Sequence, residues 1–343
     1  MRYKKKNILL SLVLIIYMII VITYSFFPKT SLNKVLSTKI FLTYFYSFPI
    51  LFGCVASIIS IVVLIIVCYK SKVPYYKNVI FIIWMLMLAT SVVFIVYGTG
   101  HRKEYVPLDG EKTFKIVEWN TANHLEEKNI YTIFGEFDAD IAVFPELEGD
   151  EKGDMSYQRL RNLFLSADID FDKYEIFASL RTEGNIAPVT IVVKKSFAQY
   201  DKDKETPMTL FGTVYLKSKD KNIPDIVGVH TAPPLPTLLS FWNGDLDLIA
   251  KDIIKKYPNA IIVGDFNATM KHGSLNDIDT HEDALNYLSI FQRGTWNVDL
   301  PSSFRTTIDH ILIPKDKYLV KNIELKDLSG SDHICVLAEL SLK

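Results

Sequence analysis

Ile261-Ile262-Val263-Gly264-Asp265-Phe266-Asn267-Ala268-Thr269 decides how this chain is read. Three β-branched residues run into a glycine, and a carboxylate and a carboxamide follow, two residues apart. The run predicts a buried strand, and the spacing puts Asp265 and Asn267 on one side of its exit. Asp and Asn are poor strand formers. At the mouth of a hydrophobic strand they mean either an Asx-turn or a site. In a site, Asp265 can orient a water or hold a hard cation, and Asn267 can hydrogen-bond an anionic oxygen without adding charge.

The charge around this stretch is unevenly placed. Residues 1–100 hold ten Lys or Arg and no Asp or Glu. Residues 101–343 hold all seven His and 28 Lys and Arg against 39 Asp and Glu, a formal charge of −11. Such asymmetry marks two kinds of protein joined in one chain. In the first hundred residues, Ile8–Pro28, Ile40–Tyr69 and Asn78–His101 are free of Asp, Glu, Lys and Arg. Each is long enough for the roughly 20 residues of a spanning helix. The first run is too long for the core of a cleaved signal, and no small-x-small site follows it. Residues 1–100 therefore read as a membrane domain of three transmembrane helices. Residues 101–113 read as a polar linker reaching at most ~45 Å when extended, and residues 114–343 as one soluble domain. Seven Lys and Arg (Arg2, Lys4, Lys5, Lys6, Lys70, Lys72 and Lys77) on one side of the spans against five (Lys29, Lys34, Lys39, Arg102 and Lys103) on the other slightly favour an inside N-terminus. The expected location is a cell membrane of bacterial type, multi-pass, with the soluble domain outside the cytoplasm. Cys335 is alone in that domain, so no disulfide forms within it.

Within residues 114–343, apolar runs and helical patterns alternate. Strands are expected at 114–119, 141–144, 174–179, 189–193, 209–216, 226–229, 308–313 and 334–340, besides the opening stretch. Helices are expected at 125–137, 155–165, 238–256 and 281–292. Runs of consecutive strands favour a mixed sheet system with helices outside it. Polar residues fall at successive strand ends: Asn120, Glu146, His230, Asp265 with Asn267, Asp309, and Ser331-Asp332-His333. One such placement is a turn; a series of them converges on a site. Glu146 and Asp332 offer hard oxygen ligands suited to Mg²⁺ or Mn²⁺, and no Cys/His cluster has zinc spacing. Asn120, Asn267 and two His can stabilise a phosphoryl transition state, and Asp309 can hold His333 basic. His124, His272 and His281 read as surface or loop residues. His310 alternates with Asp309 and faces away from it. Trp242 and Trp296 read as core or rim, and 201–205 as a solvated turn.

Glu118-Trp119-Asn120, Pro145-Glu146, Gly228-Val229-His230-Thr231, Gly264-Asp265-Phe266-Asn267-Ala268, Ile308-Asp309-His310-Ile311 and Ser331-Asp332-His333 together resemble the ordered motifs of the endonuclease/exonuclease/phosphatase superfamily. The resemblance implies a four-layered α/β sandwich of the DNase I-like type and Mg²⁺-dependent cleavage of phosphoesters. It implies Glu146 as main metal ligand with Asn120 beside it, and Asp332 completing the metal site. By the same match Asp265 orients the water, Asn267 binds the phosphate, and His230 and His333 stabilise the phosphoryl group, with Asp309 paired to His333. Arg181 is matched to a basic phosphate contact. Pro145 stands where the family often has Gln, and no acidic partner for His230 is identifiable.

The negative domain and the absence of a Lys/Arg run argue against tight nonspecific nucleic-acid binding, and the spans argue for a substrate in or near the bilayer. The layout, with His230-Thr231-Ala232-Pro233-Pro234 and 264–269, resembles membrane proteins linked to teicoplanin resistance. Expected partners are the lipid bilayer and a phosphorylated lipid or polyprenyl pyrophosphate. The leading expectation is a membrane-anchored, metal-dependent phosphohydrolase; the alternatives are an outward-facing nuclease and a catalytically dead scaffold.

Overall fold

Pro49 divides the second apolar run. The computed structural model describes residues 2–70, 74, 78–98, 100–105, 112–149, 155–180 and 186–343. In it, Met1–His101 together with Lys271–Asn276 form one compact unit, and Arg102–Met270 with Asp277–Lys343 form another. The first holds α1 (Arg2–Phe26), α2 (Ser31–Ser37), α3 (Ile40–Ser47), α4 (Pro49–Lys70) and α5 (Val79–Tyr97). The run expected from Ile40 thus breaks at Phe48 because the residue before a proline disfavours the helical region. Helices α4 and α5 are each long and apolar enough to cross a membrane, with mean hydropathies of 3.1 and 2.8. A third crossing exists if Ser11–Phe26 and α2, bent by 108°, count as one. A Cβ on Gly53 of α4 would lie 2.5 Å from Ile95 and 2.9 Å from the Ser91 carbonyl of α5, so the glycine allows their close approach. His272 belongs to this unit and is fully buried, its Nε2 3.2 Å from the Thr43 carbonyl, contrary to the surface position expected.

The second unit holds β1 (Thr113–Glu118), α6 (Glu127–Ile130), β2 (Ile141–Phe144), α7 (Met155–Ser166), β3 (Tyr174–Ala178), β4 (Thr190–Lys194), β5 (Tyr200–Asp203), β6 (Thr213–Ser218), β7 (Ile226–His230), α8 (Leu239–Asp247), β8 (Ile261–Asp265), β9 (His281–Asp283), β10 (Asp309–Pro314), β11 (Tyr318–Lys326) and β12 (Cys335–Leu342). They form two six-stranded mixed sheets, ordered β11-β12-β1-β2-β4-β3 and β5-β6-β7-β8-β10-β9. Each centres on a parallel pair, β1 with β2 and β7 with β8. Successive residues face opposite ways. Ile116, Ile141, Val143 and Ile191 of one sheet meet Val214, Ile226, Ile261, Val263 and Ile311 of the other in one buried core. Val117, Ala142, Phe144 and Val192 face outward instead, onto Ile130, Ile133, Leu160 and Phe164 from the helical segments. Both faces of the first sheet's central strands are covered, so they read as continuous apolar runs.

The helix expected at 281–292 is absent. His281–Asp283 pairs with β10 as β9, and Ala284–Tyr287 is a 3-10 turn. Asp283 accepts from the Leu285 amide at 3.0 Å, and Ala284, Leu285 and Tyr287 are drawn into the inter-sheet core. His281 is buried, with its Nε2 3.0 Å from the Ala260 carbonyl. Part of the 201–205 stretch, read as a turn, is edge strand β5. Arg102 and Lys103, placed in the linker by sequence, hydrogen-bond the Tyr287 and Asn286 carbonyls at 3.3 and 2.7 Å. Residues 106–111 of that linker, with Lys72, Lys77 and Arg181, lie outside the described residues.

Candidate active site

The two parallel pairs end at the same edge of the sandwich, and β10 and β12 begin there because they run antiparallel to β8 and β1. In register, His230 lies beside Asp265 and Asp265 beside Asp309, while Glu118 lies beside Val336. The topology therefore gathers Asn120, Glu146, His230, Asp265, Asp309, Asp332 and His333.

Gly264 makes the β8 edge possible. Its φ is +146°, and a Cβ there would lie 1.9 Å from the Val229 carbonyl oxygen. Beyond it, Asp265 Oδ1 accepts from the Asn267 amide at 2.7 Å, and Asn267 takes a positive φ of 47°. The Asx-turn and the site are thus one object. Asn267 Nδ2 donates to the Thr231 carbonyl at 3.0 Å, and Trp242 Nε1 donates to the Asn267 carbonyl at 3.1 Å. Glu146 also has a positive φ, 55°, just after β2. Its backbone is held by Thr121 Oγ1, which donates to its carbonyl at 2.8 Å.

Asn120 ties the carboxylates together, donating from Nδ2 to Asp265 Oδ2 at 3.0 Å and to Glu146 Oε1 at 3.3 Å. His230 Nε2 lies 3.6 Å from Asp265 Oδ2 and 3.7 Å from Glu146 Oε1. Burial holds the His230 pKa down, to about 3, and His333 nearby adds to this; its Nδ1 is buried without a partner. His333 is the opposite case. Burial opposes its charge, but Asp309 and Asp265 outweigh burial and push its pKa up to about 10. Its Nδ1 sits 2.9 and 3.0 Å from the two Asp309 oxygens, and its Nε2 points to Asp265 Oδ2 at 3.8 Å and Asp332 Oδ1 at 3.9 Å. Burial, reinforced by Asp309, raises Asp265 to about 7. One histidine is thus kept neutral and the other cationic in the same site.

Three features escape sequence reasoning. Trp296 Nε1 donates to Asp332 Oδ2 at 2.7 Å, so a residue read as core or rim holds a predicted ligand. Glu118, quoted in a motif but given no role, is fully buried beneath the site with neither carboxyl oxygen hydrogen-bonded; burial, with Asp309 and Asp265 adding to it, raises its pKa well above the carboxylate range. His310 faces away from Asp309, as alternation requires, and joins Asp283 Oδ2 at 2.7 Å to the Ala268 carbonyl at 2.8 Å. None of these could be read from spacing, because the groups around each come from distant parts of the chain.

The donor chemistry fits a hard divalent cation. Glu146 and Asp332 keep 29% and 48% of their side chains exposed. Among the described residues, no Lys or Arg pairs with Glu146, Asp265, Asp309 or Asp332; the close partners are histidines. Asp265, Asp309 and His333 also bring ligand-type atoms within 4.8 Å of one another, but both Asp309 oxygens are engaged by His333 Nδ1. The exposed oxygens are therefore the better metal donors.

No curated protein matches the chain. Solved structures similar to it include an endonuclease/exonuclease/phosphatase from Bacteroides vulgatus, at 16% identity over 68% of this chain and 100% of that one, with a TM-score of 0.49. The human Nocturnin catalytic domain with bound sulfate anion is similar at 16% identity over 67% and 94%, with a TM-score of 0.49. Truncated Caenorhabditis elegans TDP2 is similar at 16% identity over 67% and 97%, with a TM-score of 0.47. The model of the Endonuclease/Exonuclease/phosphatase family matches residues 117–333, from the end of β1 to His333, which takes in every strand end that converges here. By that match over more than half its length, the chain belongs to the Endonuclease/Exonuclease/phosphatase family, whose members are divalent-metal-dependent phosphoesterases.

Proposed function

We propose that this protein is a membrane-anchored phosphohydrolase that uses Mg²⁺ or Mn²⁺ to cleave a phosphoester or pyrophosphate carried by a lipid, at the outer face of the membrane. The observation that carries the reading is the pairing, in one chain, of membrane-length apolar helices with a phosphoesterase domain of net charge −11. A tether concentrates the enzyme only on targets at the bilayer, and such a charge repels nucleic acid. With the bent pair counted as one span, so that three segments cross, the weak excess of Lys and Arg on the N-terminal side supports the outward domain.

Glu146 and Asp332 would hold the cation, with Asn120 fixing Glu146; the cation would neutralise charge on the phosphoryl oxygens. Asp265, ionised above about pH 7, orients the attacking water and accepts its proton. Neutral His230 and the Asn267 carboxamide donate to the phosphoryl oxygens. Cationic His333, fixed by Asp309, stabilises the charge that develops and can protonate the leaving oxygen. Phosphate release from a polyprenyl pyrophosphate by the full-length protein in detergent, lost with EDTA and in Asp265→Ala, is the test. Nicking of plasmid DNA with the lipid untouched would replace this reading by a nuclease. A reporter fused after Lys343 that is active only in the cytoplasm would sink the outward orientation.

A further inference from the structure

The loops at the site's edge carry exposed apolar side chains of a kind that a phosphate alone does not need. Among the described residues, nine large hydrophobic side chains of the catalytic unit are exposed, and Leu180, Met208, Leu235 and Phe241 lie at this edge, 69%, 40%, 44% and 53% exposed. Their positions follow from chain connections. The Gly212 carbonyl accepts from the His230 amide at 2.9 Å, and the Phe211 ring lies 5.1 Å from the His230 ring, which brings the loop of Met208 to the site. A Cβ on Gly212 would lie 2.4 Å from Ser179 Oγ, so Leu180, the next residue along from Ser179, borders the same loop. Leu235 opens the turn into α8, where the Leu238 amide donates to its carbonyl at 3.0 Å, and Phe241 follows in the first turn of that helix. Asp245 of α8 clamps both loops, accepting from the Ala232 amide at 2.8 Å and the Leu210 amide at 3.1 Å. These side chains are held outward on an anchored frame.

We infer that Leu180, Met208, Leu235 and Phe241 form an apolar rim that takes the hydrocarbon chain of the substrate next to its phosphate, so that the enzyme selects by chain as well as by headgroup. The inference rests on the lipid reading above and extends it. A hydrocarbon occupant suits the rim because the chain carries its own membrane-length helices, and a bilayer is the apolar phase that such helices guarantee nearby.

The test uses full-length protein in detergent micelles, wild type and the double variant Leu235→Ser/Phe241→Ser. The substrates share one headgroup: a long-chain polyprenyl pyrophosphate and a short-chain, water-soluble prenyl pyrophosphate. The wild type is expected to prefer the long chain, and the variant to lose about tenfold or more in kcat/KM on it while keeping its rate on the short one. The retained short-chain rate reports that the variant is folded. Equal wild-type rates on both chains, or an equal loss on both in the variant, would overturn the rim and leave the phosphohydrolase reading standing. Wild-type protein that cleaves neither lipid would sink that reading, and the rim with it.

Discussion

His333 Nδ1 lies 2.9 Å from Asp309 Oδ1 and 3.0 Å from Oδ2, so one imidazole faces both oxygens of one fully buried carboxylate. Asp309 opens β10 and His333 precedes β12, so the pair ties one sheet to the other at the site. This fixes the ring's orientation and keeps it charged. Its pKa is raised to about 10, so the cation is present below that pH and lost above it. Asp309→Asn should lower kcat about 10²- to 10³-fold and pull the alkaline limb of the pH–rate profile down toward the ordinary histidine range. A variant whose alkaline limb stays in place would remove the pair from the chemistry.

Trp296 acts on Asp332 through the indole N–H. Trp296→Phe keeps the ring and deletes that donor. The concentration of Mg²⁺ for half-maximal activity should rise about tenfold, as happens when groups that orient metal ligands are removed, with kcat at saturating Mg²⁺ nearly unchanged. A Mg²⁺ titration of both proteins measures it, and an unchanged midpoint counts against Asp332 as a ligand.

The Asp283–His310 pair is buried, and its far end holds the Ala268 carbonyl, one residue beyond Asn267. Burial opposes the His310 charge, but Asp283 prevails and its pKa is raised above 6.5. The stability it contributes is therefore full below pH 6.5 and lost as pH rises through the folded value. Asp283→Asn should cost about 3 kcal/mol in mildly acidic solution and less in alkaline solution. Thermal unfolding at pH 6 and pH 9 checks this; a pH-independent gap between the proteins would refute it.

Gly264→Ala asks a β-carbon to sit 1.9 Å from the Val229 carbonyl at a φ of +146°. The strand pair β7–β8 would have to part, a loss of about 4 kcal/mol or more. Expression of protease-resistant protein should fall sharply; normal resistance would mean that the edge can relax.

Most of this architecture is legible in the sequence where a strand is buried on both faces, since apolar runs such as Ile141–Phe144 and Ile261–Val263 leave no other reading. Edge strands are less legible. β11 mixes Lys and Glu into its apolar residues, and a bulge between Val320 and Asn322 breaks the two-residue period that would have exposed it. At 281–292 the apolar spacing suits a helix, but pairing with β10 and the drawing of Leu285 and Tyr287 into the core override local propensity. The site divides in the same way. Strand-end residues such as Asp265 and His333 announce themselves by chemistry out of place. Glu118, Trp296 and the Asp283–His310 pair do not, because their meaning lies in groups brought from distant parts of the chain.

Hydrolysis of a lipid-borne phosphate through Asp265 is measured by phosphate release from full-length protein in detergent. Polyprenyl pyrophosphate and plasmid DNA would be supplied in parallel with Mg²⁺. Release from the lipid that disappears with EDTA and in Asp265→Ala is the expected result. Lipid left intact while the DNA is nicked would contradict the claim and leave the apolar helices as an anchor for a nuclease.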